Sequence, residues 1–563
     1  MRTLLLMSLI ATTAAAQTGA LSRLTDRFFD EYYFPFNPTA ATASGIHKYD
    51  SQLEDYSKAG ADKRIAALKQ WEAEFARLPA SSDQERADRD LVLNSIRDSL
   101  LELETIRMWQ RNPDQYSSGI ANSAFVIMSR TFASPEERIK VLTARERRMP
   151  RVLAAARVNL KNPPRIYTEV AIEQLPGNIS LFENDVPLAF KAVSDPALLA
   201  DFQAANKAVI EALREYEAWL KADLLPRSNG DFRLGAGNFA KKLQLEEMVD
   251  IPLARLLEIG YQDLRANQKR FAETAARIDP SKTPRQILEE SEKDHPPGDA
   301  LLGAFRDTLG GLKDFIESHK IVTIPSEVRP ILEETPPFMR ALTSASMDTP
   351  GPYETVAKEA FFNVTLPEKA WPADRVEDYM RSFHRGVILS TAIHEAYPGH
   401  YVQFLWMQHV DSRVRKLLGA NSNAEGWAHY SEQMMLDEGY AAGDLRMRLG
   451  QLQDALLRNA RFIVGIEMHT GKRTFDQGVD FFEKEGYQTH ENSVRETKRG
   501  TSDPTYLYYT LGKLQILKLR EDYRKLKGAS FSLQEFHDSF MKQGYPPIKI
   551  VRRALLGDDS PTL

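Results

Sequence analysis

Thr391-Ala-Ile-His394-Glu395-Ala-Tyr397-Pro398-Gly399-His400 closes an apolar run that includes Val387, Ile388, Leu389 and Ile393. Two histidines with a glutamate beside one of them are the parts from which hydrolytic zinc sites are built. Their spacing is unusual. In the common His-Glu-x-x-His arrangement the histidines sit four apart and share one helix face. Here they are six apart, which at about 100° per residue leaves them roughly 120° out of phase on a straight helix. Pro398 supplies a remedy, because its ring would clash with the carbonyl of His394 four residues back, and Gly399 tolerates backbone geometry that other residues avoid. The stretch therefore predicts a helix that breaks or bulges just after Tyr397 and swings His400 back toward His394.

Around this stretch lies a chain of 563 residues, 42% hydrophobic and 27% charged, long enough for an extensive core and for a large two-lobed enzyme. A net charge of -5 and a pI near 6.2 give no general attraction to nucleic acid or to an anionic membrane. Met1-Arg2, the apolar run Leu4 to Ala11 and the small residues Ala14-Ala15-Ala16 read as a secretory leader (1-16) cut after Ala16. No later run reaches the roughly 20 apolar residues of a membrane span. The expectation is an exported protein, periplasmic or extracellular. With no cysteine anywhere, thiolate ligands, thiol nucleophiles, disulfides and a cysteine-linked lipid are all excluded, so a metal must be held by histidine and carboxylate.

From Leu21 to about His319 the pattern is helical. Leu93, Ile96, Leu100 and Leu103 recur at helical spacing, as do Val209, Leu213, Tyr216 and Leu220. Ser134-Pro135-Glu136-Glu137 and Thr283-Pro284-Arg285-Gln286 have the form of capped helix starts. The basic run Arg145 to Arg151 reads as a solvated helix face rather than an anion patch, and Phe28, Phe29, Tyr32 and Tyr33 as core. Between Lys320 and Pro372 the character changes. Ile321-Val-Thr-Ile324 and Phe361 to Leu366 predict short strands among Pro-rich turns such as Pro336-Pro337 and Pro350-Gly351-Pro352. Such a sheet either covers the core or offers an edge to an extended peptide.

Seven of the 11 histidines fall between His384 and His490. Downstream of His400, Glu425, His429 and Glu432 stand at i, i+4 and i+7, on one helical face. Glu425 can complete a three-ligand set with His394 and His400, leaving a fourth position for water; His429 is the competing third ligand. Glu395 is then free to act as general base. Zinc, one ion, suits two imidazoles and a carboxylate, although iron and manganese suit them too. Among later residues, Tyr509 of the group Tyr506, Tyr508 and Tyr509 is the candidate hydrogen-bond donor to an oxyanion, and His469 a second. Lys498 and Arg499 can grip a substrate carboxylate.

His394-Glu-Ala-Tyr-Pro-Gly-His400-Tyr-Val-Gln403 and Glu425-Gly-Trp-Ala-His-Tyr430-Ser-Glu432 together resemble the signature of the bacterial "domain of unknown function 885" family, placed among gluzincin-type metallopeptidases. Arg461 through Gly471, Arg499 through Leu514, and Gly45-Ile46-His47-x-Tyr49-Asp50 are similar to its other blocks. The resemblance covers most of the mature chain and implies a largely helical fold holding zinc in the manner inferred above. Two residues depart from it: His429 stands in place of an aliphatic residue and Gly465 in place of an acid. The expected fold is accordingly mainly α, a large two-lobed helical metallopeptidase-like fold with a small β-sheet near the active-site helix. Its parts are the leader, an N-terminal helical lobe over 17-319, and a catalytic half over 320-563 with its strands in 320-372 and a cleft between the lobes. The expected activity is hydrolysis of peptide bonds, in short peptides by analogy with related helical enzymes, with Glu395 as general base. Hydrolysis of another amide or an ester, and a non-catalytic secreted binding protein, are the alternatives. Exo- or endopeptidase action and oligomeric state are not encoded legibly.

Overall fold

The computed structural model describes residues 19-336, 340 and 343-563; the leader and Pro337 of the Pro-rich turn lie outside them. Helix accounts for 70% and strand for 3%, so the chain is mainly α with a small sheet, as expected. It divides into two compact units. One comprises residues up to Phe232 with Pro350–Lys358 and Ser412–Leu418. The other comprises Arg233–Thr349, Glu359–Asp411 and Gly419–Leu563. The division thus falls at 232/233, near the helix stop at Asn229-Gly230, whereas the sequence pattern put the lobe boundary at 319. Two short segments also return to the first unit.

Local chemistry explains the first unit's helices. Val209, Leu213, Tyr216 and Leu220 are fully buried, as their spacing requires. The capping boxes at Ser134/Glu137 and Thr283/Gln286, the latter in the second unit, are both formed. Phe28, Phe29 and Tyr32 are core residues. The basic run differs from expectation at its start. Arg145 and Glu146 are fully buried, and Arg145 donates to the carbonyls of Ser123 and Pro38 and to the Thr42 hydroxyl. Those acceptors take the place of water, so a charged residue at helical spacing is here an internal brace.

The second unit carries the candidate site. Its framework is α1 (Leu253–Ile278), strands β1 (Ile331–Glu334), β2 (Ala345–Asp348) and β3 (Phe361–Val364), then α2 (Arg385–Glu395), α3 (His400–Met407), α4 (Asn421–Asp437), α5 (Leu445–His469), α6 (His490–Ser502) and α7 (Tyr508–Lys527). In α1 the buried positions Leu256, Gly260, Leu264, Asn267, Phe271 and Ala275 form one stripe, and it lies on α5. α5 is buried on nearly all sides, packing also on α2. Burial of each large apolar side chain here contributes about 1.5–3 kcal/mol.

β3 is the middle strand, parallel to β1 and antiparallel to β2, with Ile331 opposite Phe361 and Ala345 opposite Val364. Phe362 and Val364 are fully buried, and the Phe362 ring meets Phe305 edge-on at 5.4 Å. The predicted strand Phe361 to Leu366 is present as β3. Ile321–Ile324 is not a strand. Its backbone finds other partners: the Ile321 amide donates to the Ile316 carbonyl, the Ile321 carbonyl meets the His537 ring, the Thr323 carbonyl accepts from Trp406 Nε1, and the Thr323 amide donates to Asp538. With those groups paired, the segment needs no ladder.

Candidate metal centre

α2 ends at Glu395 and α3 begins at His400. The break expected after Tyr397 therefore spans Ala396 to Gly399. The Gly399 amide donates to the Ile393 carbonyl at 3.0 Å, and a Cβ at this position would stand 1.8 Å from the His394 carbonyl oxygen. Only glycine fits that approach. Trp427 of α4 donates from its indole nitrogen to the Pro398 carbonyl at 2.8 Å, anchoring the turn. The consequence is that the His394 and His400 rings stand 4.8 Å apart despite their six-residue spacing.

Glu425, on the first turns of α4, meets both. Its Oε2 lies 3.2 Å from His394 Nε2 and 3.3 Å from His400 Nε2. The three candidate ligand atoms all fall within 4.8 Å of one another. Donors about 2.0–2.1 Å from a tetrahedral ion stand roughly 3.3 Å apart, so the two Glu425 contacts match that separation, and two imidazoles with a carboxylate are a donor set that suits a small divalent cation. α4 is fixed against α7 by Gly426 and Gly512, whose backbones touch; a Cβ on Gly426 would lie 2.5 Å from the Gly512 Cα.

Outside this triangle lies a carboxylate to which the sequence pattern gave no role. Glu432, fully buried two turns along α4, accepts from His394 Nδ1 at 2.6 Å, from Arg458 at 2.9 Å and from His429 Nδ1 at 3.0 Å. Burial pushes the Glu432 carboxyl up, but Arg458, His429 and His394 override it and hold the group below its usual range. This contact orients the His394 ring and aims Nε2 at Glu425. For His394 itself burial favours the neutral ring, yet hydrogen bonds with Glu425 and Glu432 outweigh it and lift the pKa to about 9. Glu425 is held well below the usual carboxylate range: burial opposes this, and the His400 charge and the two imidazole contacts prevail. His429, the rival third ligand, is not in the triangle. It faces Glu432, and burial drives its pKa down to about 3, leaving it neutral.

The triangle opens into a cavity of about 390 Å³ whose lining residues all belong to the second unit. Glu395, Thr343 to Met347 of the β2 edge, and Tyr509 line it. Tyr509 lies with its ring 6.2 Å from the His394 ring and receives a hydrogen bond from Arg499 at 3.2 Å. Burial raises its pKa against the pull of Arg499, so it is a neutral hydroxyl whose own hydrogen points elsewhere. Tyr508 instead serves Asp503, and Tyr506 is buried away from the cavity beside Gly465, where a Cβ would stand 2.8 Å from its ring. That crowding accounts for glycine at 465 in place of an acid. His469 does not reach the cavity: Nε2 donates to the Gly500 carbonyl at 2.8 Å, and the Leu234 amide donates to Nδ1. It is a core histidine, and the expectation of a second oxyanion donor there is corrected. Lys498 is likewise absent from the lining, whereas Arg499 is joined there by Arg458, Arg461 and Arg495.

Residues 38–555 match the family described as bacterial protein of unknown function (DUF885). The chain belongs to that family. This DUF885 member is similar in structure to a protein of unknown function from Shewanella oneidensis, described as a candidate lipoprotein: 27% identity over 95% of this chain and 99% of that one, with a TM-score of 0.79. A candidate lipoprotein from Colwellia psychrerythraea shares the fold at 17% identity, covering 96% of this chain and 98% of its own, with a TM-score of 0.81. No curated protein matches. Among the described residues no helix is long and apolar enough to cross a membrane.

Proposed function

We propose that this DUF885 member is an exported zinc-dependent peptidase of gluzincin type, holding one ion with His394, His400 and Glu425. The observation that carries this reading is the convergence of those three side chains beside Glu395 in a cavity bordered by a strand edge. Bound zinc supplies Lewis acidity, lowering the pKa of water toward about 7 and polarising a carbonyl. The remaining work belongs to the protein. Glu395, next to His394 and facing the cavity, takes a proton from the attacking water and returns it to the leaving amine. Tyr509 donates to the oxygen that becomes negative, its orientation held by Arg499. β2, at one edge of the described sheet, lets an extended peptide lie along the cavity by backbone pairing. Export is supported by the leader-like N-terminus and by the description of the Shewanella oneidensis neighbour as a candidate lipoprotein.

Mass spectrometry of a mixed-peptide library incubated with zinc-loaded protein, with and without chelator, tests this. Chelator-sensitive cleavage is expected, and Glu395→Gln should keep its zinc while losing about 10²–10⁴-fold in turnover. Zinc-loaded protein that cuts esters or other amides but no peptide bond sinks the peptidase assignment.

A further inference from the structure

One face of α6 presents Asn492, Arg495, Glu496 and Arg499 to the cavity, at i, i+3, i+4 and i+7. With Arg458 and Arg461 of α5 they make four guanidinium groups in one lining. Most are already neutralised by the protein. Arg461 is held in a two-pronged pair with Glu496 at 2.6 and 2.9 Å, Arg458 pairs with Glu432, and Arg499 lies 3.1 Å from Asp503. Arg495 differs. It donates to the Asn492 side chain at 2.7 Å and has no ion-pair partner among the described residues. A guanidinium left without a carboxylate, in a cavity and one helical turn from Arg499, is arranged to receive an anion brought by a ligand.

Position decides which anion. The Tyr509 ring is 6.2 Å from the His394 ring and 5.8 Å from the Arg499 guanidinium carbon, so the arginine lies no more than about 12 Å from that candidate ligand. An extended peptide advances about 3.3 Å per residue, so one or two residues separate the reacting carbonyl from the arginines. We propose that Arg495 and Arg499 bind the free α-carboxylate of a peptide, so that the enzyme releases one or two residues from the C-terminal end. This rests on the peptidase reading, and it turns a general hydrolase into a carboxypeptidase or dipeptidyl carboxypeptidase. Both Glu496 oxygens are taken by Arg461, and Glu496 makes no ion pair with Arg495.

Two measurements on the full chain separate the proposal from the reading it rests on. The first compares acetyl-Ala-Ala-Phe-Ala-Ala carrying a free C-terminal carboxylate with the same peptide as its C-terminal amide. Zinc-loaded wild type should cut the acid one or two residues from its end and the amide at least about 10-fold more slowly. Arg495→Gln should raise KM for the acid about 10- to 100-fold and bring the acid-to-amide ratio near one, with Arg495→Lys recovering part of the preference. The second titrates both peptides calorimetrically into Glu395→Gln protein. The acid should bind at least about 10-fold tighter, and the difference should vanish when Arg495→Gln is added. Equal binding of acid and amide overturns the carboxylate site even if peptides are cut. Cleavage at internal bonds irrespective of the C-terminus overturns it too. Preferred binding of the acid without any cleavage leaves the carboxylate site standing and removes the peptidase reading.

Discussion

Each unit holds a histidine clamped between two carboxylates, and the two clamps do different things. In the first unit His47 Nδ1 lies 2.9 Å from Asp50 and Nε2 3.0 Å from Glu354, while its ring stacks on Phe132 with centroids 3.9 Å apart. In the second unit His394 is clamped by Glu432 and Glu425 at 2.6 and 3.2 Å. The difference lies in what the carboxylates do with their remaining capacity. Asp50 also accepts from the Thr42 hydroxyl, and Glu354 from the amides of Val356 and Ala357, so every oxygen of that clamp is in use by its own unit. It fastens segment 350-358 in place. Glu425 instead shares one oxygen between two imidazoles at the mouth of a cavity. The same residue types make a clip where the protein saturates them, and a candidate cation site where it leaves them converging on open space.

Zinc content makes the largest test of that contrast. Elemental analysis should find His394→Ala and Glu425→Ala weakened for zinc by more than about 100-fold, the ceiling for losing an outer partner, while His47→Ala retains it. Comparable zinc loss in His47→Ala would break the comparison. Full zinc in Glu425→Ala together with loss in His429→Ala would reassign the third ligand. Next in size, Glu432→Gln keeps all three proposed ligands but removes the acceptor that orients His394; zinc affinity measured by competition with a chelator should fall about 10- to 100-fold. Unchanged affinity would make Glu432 a packing partner of Arg458 only.

The smallest effect concerns the clip. His47→Gln should lower unfolding stability by about 1–3 kcal/mol near pH 6, measured by urea denaturation, through loss of charge-assisted hydrogen bonds. Its pH dependence has a definite sign. Burial works to lower the His47 pKa, but Asp50 and Glu354 outweigh it and the net shift is upward from 6.5. A raised folded pKa means the protonated ring binds its proton more tightly in the native state. The stabilisation is therefore complete below pH 6.5 and fades as pH rises through the folded value. The gap between wild type and His47→Gln should shrink between pH 6 and 9. A gap that widens contradicts the clip.

Residue chemistry explains what the sequence discloses. His394, His400 and Glu425 are legible because histidine is scarce, because Pro398-Gly399 announces a break, and because Glu425 and Glu432 share a helical face. Of the cavity's arginines only Arg499 is, since Arg458, Arg461 and Arg495 at helical spacing look like any solvated face until α5 and α6 converge. Histidine clustering misled at His469, whose partners Gly500 and Leu234 are backbone groups that leave no mark in residue type. β1 and β2 are four residues each, too short for alternation to register, whereas Ile321–Ile324 has strand composition but finds its partners in Trp406, His537 and Asp538. The two returning segments, 350-358 and 412-418, are invisible to any linear division of the chain.

The contact between Gly426 and Gly512 has a consequence for tolerance. Glu425 neighbours one of these glycines and Tyr509 precedes the other by three residues, and no side chain lies between the two backbones where they cross. Core positions elsewhere can trade one apolar residue for another and let neighbours repack, shifting their helices by fractions of an ångström. This crossing has no such adjustable filler. The gauge between Glu425 and Tyr509 is written in main-chain atoms, so the surrounding core is free to drift in composition while the two groups that face the cavity keep their separation.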